Sequence, residues 1–451
     1  MEDQNLTRKL GLFPATNIVI ANMIGAGIFT TSGLLIAELN SPVLMLTLWI
    51  AGGIIALCGA LSYGELGAAM PEAGGEYLFL SALFHPILGF LSGWVSFVVG
   101  FSAPVAASAI GFSEYFFRAF PHVTDFFASA AISGIVSVKK LLSVIIILIF
   151  TSIHYRGIKT GALIQNLLTI LKVALIIFLL LAGFLSGAGN MDNFSSSGII
   201  ASGLPGLKAA GLSLMWIMFA YSGWNASTYL GAEIKNPTRV LPRSLLFGTM
   251  IVIILYLAIN ILYVYGINPD EMKGVISIGG LAMRNLFGER AEILFSLLIA
   301  FALFSSLSAF MIIGPRVYYS MAKDGLFFKS VARIHKKFGV PSNSILLQGF
   351  IAIILCLSGT FEQVLTYMGF ALGIFPVLTV LSVIKLRKSV PAAHRMPGYP
   401  FTQIIYSASG VLILILSFLE RPVESGIAIL TVIAGIPAYI LFKVRLPGFK
   451  P

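Results

Sequence analysis

Three small residues in a row, Gly25, Ala26 and Gly27, interrupt the first long apolar stretch of the chain. A helix that unwinds there frees backbone N–H groups at the start of its second half, where the helix dipole favours an anion such as a carboxylate. A second interruption, Ser222 and Gly223, lies inside a later apolar stretch. The two breaks together predict a binding site built largely from main-chain groups.

The second break frees carbonyl groups at the end of the half-helix before it, near Phe219, Ala220 and Ser222. Carbonyls suit an ammonium group, and a molecule with a carboxylate and an ammonium group on adjacent atoms is an α-amino acid. Glycine admits such a ligand because a Cβ would occupy its space. A Gly-Ala-Gly run is as typical of two helices in close contact, so the hypothesis depends on the pairing of the breaks.

Composition places these breaks in membrane helices. The chain of 451 residues is 58% hydrophobic and 10% charged, whereas soluble domains are about 25% charged. Apolar runs long enough to cross a hydrocarbon layer of about 30 Å predict an all-α, polytopic membrane protein. We expect twelve helices, at residues 13–37, 43–64, 87–113, 141–153, 161–185, 209–232, 245–266, 293–315, 344–361, 364–384, 401–419 and 425–442.

The charges between these spans predict their orientation. Of the 29 lysines and arginines, twenty fall in segments on the side of the N-terminus and eight on the opposite side. Cytoplasmic loops carry the excess of positive charge, so we expect a plasma membrane protein with both termini in the cytoplasm. The basic residues are scattered among short loops, which argues against a nucleic-acid surface.

The two breaks fall at corresponding places if helices 1–5 and 6–10 are repeats. Inverted repeats with paired discontinuous helices near the bilayer midplane are typical of secondary transporters. Irregular backbone at that depth is tolerated only where it is buried or faces a cavity. The sequence therefore predicts a 5+5 inverted-repeat core over residues 1–400, followed by helices 11 and 12 and a cytoplasmic tail over residues 401–451.

Lys172 is the basic residue left inside a predicted span. It lies nine residues after Leu163, which is about 14 Å along a helix at 1.5 Å per residue. A charged lysine at this depth costs about 2.5 to 3.5 kcal/mol on insertion scales. We therefore expect its ammonium group to face the protein interior and to have polar partners. Two roles remain open: a static brace on backbone carbonyls, or a group that loads and releases a proton.

Five separated blocks of sequence resemble, in order, the amino acid, polyamine and organocation (APC) superfamily and its L-type amino acid transporter branch. The blocks are NMIGAGIF, LSYGELGAAMPEAGGEYLFL, FAYSGWNASTYLGAEIKNPTRVLPRS, PRVYYSMAKDG and HRMPGYP. The resemblance runs through essentially the whole chain. It implies a transporter fold of two inverted five-helix repeats with discontinuous helices 1 and 6, followed by two further helices.

The resemblance also implies roles for individual residues. The backbone of Ala26 and Gly27 is expected to contact the substrate carboxylate. The carbonyls of Met23, Phe219 and Ser222 are expected to contact its ammonium group, and the ring of Phe219 to act as an aromatic gate. Ala26 stands where many relatives have serine, so a contribution from a hydroxyl group is absent.

In the same family a lysine on helix 5 lies where sodium-coupled relatives hold a cation, in contact with helices 1 and 8. Lys172 matches this lysine by position. Three serines of helix 8 are the candidate partners of its ammonium group: Ser305, Ser306 and Ser308. An ammonium group there would repel sodium, so the resemblance predicts sodium-independent transport.

Acidic residues are missing from the predicted midplane, since those nearest the core lie near helix ends: Glu38, Glu65, Glu114 and Glu233. A site for a cationic side chain would need a buried carboxylate, because an unpaired buried charge is costly. We therefore expect neutral substrates, with a cationic amino acid as an alternative if Phe219 supplies cation–π contacts. Expected wall residues are Ala107, Ser108 and Gly369.

Catalytic functions find no support in the sequence. The five histidines lie far apart in the predicted topology and suggest no metal site. No P-loop motif is present, and Ser222 has no histidine or aspartate partner at its depth for hydrolysis. We expect no enzyme activity, no metal and no cofactor. An amino acid sensor that does not transport remains an alternative, although the short tails offer no output region.

The function most consistent with these observations is sodium-independent exchange of neutral L-amino acids by alternating access, with proton-coupled symport as the alternative. The loop between helices 3 and 4 has no cysteine for a covalent accessory subunit, so we expect a monomer or a weak homo-oligomer in the lipid bilayer. The segment MPEAGGEYLFLSALFHP, from Met70, is expected to be re-entrant over the inner opening or a plain interfacial helix.

Overall fold

The computed structural model describes the chain apart from residues 1–7, 9, 73, 124–136, 157, 196–201, 336, 390–394 and 445–451. Its secondary structure in this part is helical, except for an isolated bridge between Leu10 and Ile234. Eleven of the described helices are long and apolar enough to cross a membrane, and a twelfth, Ser342–Ser358, is apolar with 17 residues. The predicted all-α membrane fold is confirmed.

The unbroken membrane helices are helix 2 (Pro42–Ala69), helix 4 (Val138–Tyr155), helix 5 (Ile158–Leu185), helix 7 (Pro237–Gly266), helix 8 (Glu289–Lys323), helix 9 (Ser342–Ser358), helix 10 (Phe361–Ser389), helix 11 (Phe401–Glu420) and helix 12 (Pro422–Val444). Helix 3 consists of Pro86–Val95, a π-helical turn at Ser96–Gly100, and Ser102–Ala119. Short helices occupy the connections: Glu76–Leu83, Met191–Phe194, Pro269–Met272 and Ile278–Phe287.

Several helices extend past the charges that bounded the predicted spans, because these charges have partners. Helix 6 begins at Gly203 and includes Lys208, whose ammonium group lies 3.0 Å from the Glu420 carboxylate. Helix 8 continues through Arg316, which pairs with Glu233 at 3.2 Å. The charge-free length of a segment therefore underestimates a helix wherever an ion pair neutralises the charge.

The first predicted break is confirmed in helix 1. Its first half, Leu12–Met23, is followed by extended backbone at Ile24 and Gly25. The helix then resumes over Ala26–Thr30 and continues through Ser32–Leu39. Two residues of extended backbone are thus enough to free polar main-chain groups in the middle of the span.

The second predicted break is confirmed in helix 6. Its first half, Gly203–Ala220, ends in turns over residues 221–225, where Gly223 has a φ of 98°. The second half, Ala226–Glu233, is a 3₁₀ helix with a kink, so the α-helix predicted to residue 232 is wrong beyond Ala220. A φ of this sign is open mainly to glycine, which explains why the helix stops here.

The helices of the two predicted repeats pack on each other in pairs. Helix 2 makes its most extensive contacts with helix 7, and helix 3 with helix 8, so equivalent helices of the two halves are neighbours. The second half of helix 1 contacts the first half of helix 6, and the first half of helix 1 contacts the second half of helix 6. The two breaks therefore meet inside the protein.

Two glycines let the main chains of helices 1 and 6 touch at the breaks. A Cβ at Gly27 would lie 2.5 Å from the Cα of Ala220. A Cβ at Gly223 would lie 2.8 Å from the backbone carbonyl carbon of Asn22. The space beside Gly27 is therefore filled by helix 6. Small residues commonly allow this kind of close approach between membrane helices.

The segment after Met70 forms a buried helix in the connection between helices 2 and 3. Helix Glu76–Leu83 packs against helices 3 and 10, and most of its side chains are buried. Gly75 precedes it with a φ of 54°, and a Cβ at Gly75 would lie 2.5 Å from the ring of Tyr229. The segment is thus inserted against the second half of helix 6 and does not lie on the protein surface.

An ion pair joins the ends of helices 2 and 10. The guanidinium of Arg387 donates two bonds of 2.6 Å to the Glu65 carboxylate and one of 3.1 Å to the Met396 carbonyl. The Met396 N–H donates to Glu65 at 3.1 Å, and the ring of Tyr399 lies 4.0 Å from the guanidinium carbon. The HRMPGYP block therefore covers this pair, although its first residue, His394, lies outside the described residues.

Gly27→Ala should destabilise the protein, whereas Gly25→Ala should be nearly neutral. The new Cβ at Gly27 would meet the backbone of Ala220 at 2.5 Å, and overpacking of this kind costs about 1–3 kcal/mol. At Gly25 the nearest atom would be the Ser306 Oγ at 3.5 Å, an ordinary contact. Thermal unfolding of both variants in detergent measures the difference, and equal melting temperatures would contradict the assigned contact.

Candidate functional site

A cavity lies next to the two breaks, on the side of the second half of helix 6. It encloses about 790 Å³, counting its open mouth, and is walled by helices 1, 3, 6, 8, 10 and 11 together with helix Glu76–Leu83. Of the predicted site residues, Phe219, Ser222 and Gly223 line it, as does the expected wall residue Gly369. Clefts between the helices of a bundle are common places for small-molecule sites.

The other predicted substrate-binding residues lie beside the cavity, buried where helices 1 and 6 touch: Met23, Gly25, Ala26, Gly27 and Ala220. Helix 1 contributes Asn22 to the cavity wall. The Nδ2 of Asn22 donates a hydrogen bond to the Ile18 carbonyl at 2.8 Å. Ala107 and Ser108 are buried in helix 3 away from the cavity lining, so their expected place in the wall is wrong.

Tyr256 of helix 7 contacts main-chain groups of both breaks. Its hydroxyl oxygen lies 2.5 Å from the Met23 carbonyl oxygen and 3.0 Å from the Ala220 carbonyl oxygen, and the Gly25 backbone hydrogen-bonds to it. Main-chain groups expected to meet a substrate therefore have a protein partner in this conformation. The sequence holds 15 tyrosines and nothing local distinguishes this one, so sequence reasoning missed it.

Lys172 holds the break in helix 1. The side chain is 1% exposed, and its ammonium group donates to the Ala21 carbonyl at 3.1 Å, to the Ser306 Oγ at 3.1 Å and to the Ile24 carbonyl. The Ser306 hydroxyl donates to the same Ile24 carbonyl at 2.7 Å. The expectation of a buried ammonium group with polar partners is confirmed, and these partners belong to helices 1 and 8.

The two other predicted serines of helix 8 face different helices. The Ser305 Oγ lies 3.3 Å from the Thr169 hydroxyl of helix 5, and the Ser308 Oγ lies 3.1 Å from the His154 Nε2 of helix 4. Ser306 is thus the serine for which the structure records a bond with the Lys172 ammonium group. Three successive polar contacts tie helix 8 to helices 4 and 5 beside the break.

Glu76 is a cavity residue that sequence reasoning missed. Its carboxylate is buried, and its Oε1 accepts bonds from the Tyr63 hydroxyl at 2.8 Å and the Asn225 amide at 2.9 Å. Its Oε2 accepts from the Ser92 hydroxyl at 3.3 Å, and the Tyr229 hydroxyl also hydrogen-bonds to the carboxylate. The premise that no carboxylate lies near the site was wrong, because this loop glutamate is folded inwards.

The environment of Glu76 disfavours its charged form. Burial raises the pKa of the Glu76 carboxyl to about 7, while hydrogen bonds from Tyr63, Ser92, Asn225 and Tyr229 act in the opposite direction. A carboxyl group with this pKa changes its charge near neutral pH. Within the described part of the chain, no three His, Cys, Asp or Glu side chains come together as metal ligands would.

The π-helical turn of helix 3 forms part of the wall of the cavity. Ser96 and Gly100 line the cavity, and the Phe101 N–H bonds to the Ser96 carbonyl, five residues back. Pro104 has no N–H to donate to the Gly100 carbonyl, so one bond of the regular α-helix is missing next to this turn. Such turns are frequent at functional sites, and the proline was the signal in the sequence.

Lys172→Ala should reduce transport about tenfold or more at every pH tested, because the carbonyls of Ala21 and Ile24 lose a charged donor. One bond to a charged group contributes about 1.5–3 kcal/mol, and about 1.4 kcal/mol corresponds to a factor of ten in rate. Uptake into liposomes measures the effect. The control is Lys208→Ala, which removes a lysine whose ion pair is at the surface; unchanged activity of Lys172→Ala would exclude its role.

Comparison with known proteins agrees with this geometry. Residues 10–437 match the amino acid permease family. The chain is 28% identical to the serine/threonine exchanger SteT of Bacillus subtilis (strain 168), over 98% of this chain and 99% of that protein. It is 27% identical to the mouse b(0,+)-type amino acid transporter 1, over 98% of this chain and 89% of that protein.

The human cystine/glutamate transporter is also 27% identical, over 98% of this chain and 86% of that protein. These relatives are named for transport or exchange, and the match covers nearly the entire chain. The resemblance to the APC superfamily, inferred from five sequence blocks, is confirmed. With twelve apolar helices among the described residues, paired breaks and this family match, the chain belongs to the amino acid permease family.

Proposed function

We propose that this protein is a sodium-independent exchanger of neutral L-amino acids that works by alternating access. The observation that carries the proposal is the meeting of two helix breaks beside a cavity. The second half of helix 1 begins with N–H groups at Ala26 and Gly27, and the first half of helix 6 ends in carbonyls near Phe219. These opposite dipole ends match the two charges of an α-amino acid.

The two broken helices pack together on one side of the breaks and border the cavity on the other side, which supports alternating access. The contact of Gly27 with Ala220 brings the two helices together on the side of the second half of helix 1, while the cavity lies on the side of the second half of helix 6. Alternating access needs a site that opens to one side at a time. We infer that substrate binding shifts helix 6 relative to helix 1 and engages the N–H groups of Ala26 and Gly27.

The contacts of Lys172 support independence from sodium. Its ammonium group lies among the Ala21 carbonyl, the Ile24 carbonyl and the Ser306 hydroxyl, which are oxygen ligands of the kind that a small cation takes. A resident positive charge occupies these oxygens and repels a second one. Transport would then need no sodium to hold the break in helix 1.

Two observations bear on the substrate. Four neutral groups already donate to the Glu76 carboxylate, which leaves few lone pairs for the ammonium group of a cationic side chain. The similarity to a protein named as a serine/threonine exchanger supports small neutral substrates and an exchange mechanism for this chain. Relatives named for other substrates match at nearly the same identity, so identity alone does not select the substrate.

We further propose that the protein works in the plasma membrane without a covalent partner chain, with both termini in the cytoplasm. The chain has 2 cysteines. Both, Cys58 and Cys356, are free and buried in membrane helices 2 and 9, where they cannot reach a partner in a loop. The excess of basic residues on one side of the predicted spans supports this orientation.

Purified protein in liposomes tests the proposal. We expect uptake of labelled serine, threonine and other neutral amino acids to depend on unlabelled substrate inside the vesicles, and to be the same in sodium and potassium buffers.

Phe219→Ala should raise KM about tenfold, because an aromatic ring at the cavity wall is lost. Empty liposomes and liposomes with heat-inactivated protein are the controls.

Other outcomes would identify the alternatives. Uptake into empty vesicles driven by an inward proton gradient would identify a proton-coupled symporter. Uptake of lysine or arginine in preference to neutral amino acids would identify a cationic carrier. Binding of amino acids without uptake under any gradient would identify a sensor.

A further inference from the structure

Glu76 differs from the other buried carboxylate of the described chain. Glu65 is 3% exposed and is neutralised by two bonds from the Arg387 guanidinium. Glu76 is 7% exposed, lines the cavity, and among the described residues forms no ion pair with lysine, arginine or histidine. An unpaired buried charge is costly, so this carboxyl group needs either a counter-charge or a proton.

The partners of Glu76 can serve both protonation states. Tyr63, Ser92 and Tyr229 contribute hydroxyl groups, and a hydroxyl can donate to a carboxylate or accept from a carboxylic acid. The titratable groups that face it are phenols from helices 2, 6 and 11, namely Tyr63, Tyr229 and Tyr406. These are neutral at physiological pH, so Glu76 is the group in this cluster that changes charge.

The same cluster joins helices 2 and 3 to the broken helix 6. Tyr63 lies on helix 2 and Ser92 on helix 3, whereas Asn225 ends the break in helix 6 and Tyr229 lies in the second half of that helix. Bonds to a charged carboxylate are roughly twice as strong as bonds between neutral groups. The charged form of Glu76 therefore holds the second half of helix 6 more firmly than the protonated form does.

We propose that Glu76 is a proton-binding residue of the cavity and that its protonation frees the second half of helix 6 to move. The ligand of this site is a proton, which bonds to a carboxylate oxygen and is returned to water when the cavity opens. The inference rests on the proposed transport function for its effect on rate. Proton binding itself does not depend on that function.

Proton binding is measured on the purified full-length protein in detergent by infrared difference spectroscopy between pH 6 and pH 8. With the pKa of Glu76 at about 7, we expect the carbonyl band of a buried carboxylic acid to titrate near neutral pH. Glu76→Gln should remove this band, and Glu114→Gln, which alters a carboxylate paired with Lys139, should keep it. A spectrum in which Glu76→Gln changes nothing would overturn the proposal.

Asn225→Ala provides a second variant that leaves Glu76 in place. It removes the 2.9 Å amide bond that favours the charged carboxylate, so the midpoint of the titration should rise by about one pH unit. An unchanged midpoint would show that the titrating group is elsewhere and would contradict the assignment even if Glu76→Gln fails to fold.

The effect on transport is measured as exchange in liposomes at equal pH on both sides. A group with a pKa near 7 passes from about 90% to about 10% protonated between pH 6 and pH 8. The exchange rate of the wild type should therefore fall about ninefold, and Glu76→Gln, which mimics the neutral form, should stay near the rate at pH 6. If the exchange rate of Glu76→Gln falls with pH as the wild-type rate does, the link between protonation of Glu76 and movement of helix 6 is overturned. If the wild type exchanges no amino acid, the proposed function is refuted, and the infrared measurement still decides whether Glu76 binds a proton.

Discussion

In a membrane interior every backbone N–H and C=O group needs a partner, and two helix breaks free several of these groups at once. Side chains from neighbouring helices supply the partners. The Lys172 ammonium and the Ser306 hydroxyl reach the carbonyls of helix 1, and the Tyr256 hydroxyl reaches carbonyls of both breaks. The shape of the breaks is therefore set by helices 5, 7 and 8. A movement of these helices would change the positions of the main-chain groups at the candidate site.

Arginines tie helix 10 at its two ends. Near its C-terminus Arg387 pairs with Glu65 of helix 2, and near its N-terminus Glu362 pairs with Arg421, which also lies 3.2 Å from Glu38 at the end of helix 1. The pairs around Arg421 are partly exposed, and such pairs contribute little net stability. They can therefore separate and form again at low cost, which suits contacts that alternate during a transport cycle.

In the described part of the chain, Lys172 and Glu76 are buried near the breaks and form no ion pair with each other. Hydrogen-bond acceptors surround the Lys172 ammonium, and donors surround the Glu76 carboxyl. When Glu76 is charged, the pair sets up a field that is positive near the break in helix 1 and negative near the second half of helix 6. A zwitterion with its carboxylate towards helix 1 and its ammonium towards helix 6 lies along this field, which agrees with the orientation expected from the helix dipoles.

The sequence by itself determined the membrane fold, both breaks and the burial of Lys172, because apolar length, glycine placement and an isolated charge are local properties. It did not reveal Tyr256 or Glu76, since their roles come from contacts with residues far away in the chain, such as Met23 and Asn225. Helix packing also decided that Ala220 of helix 6 fills the space beside Gly27 in this conformation. Local sequence limits where a helix can break, whereas the tertiary structure decides which groups fill the space that the break leaves.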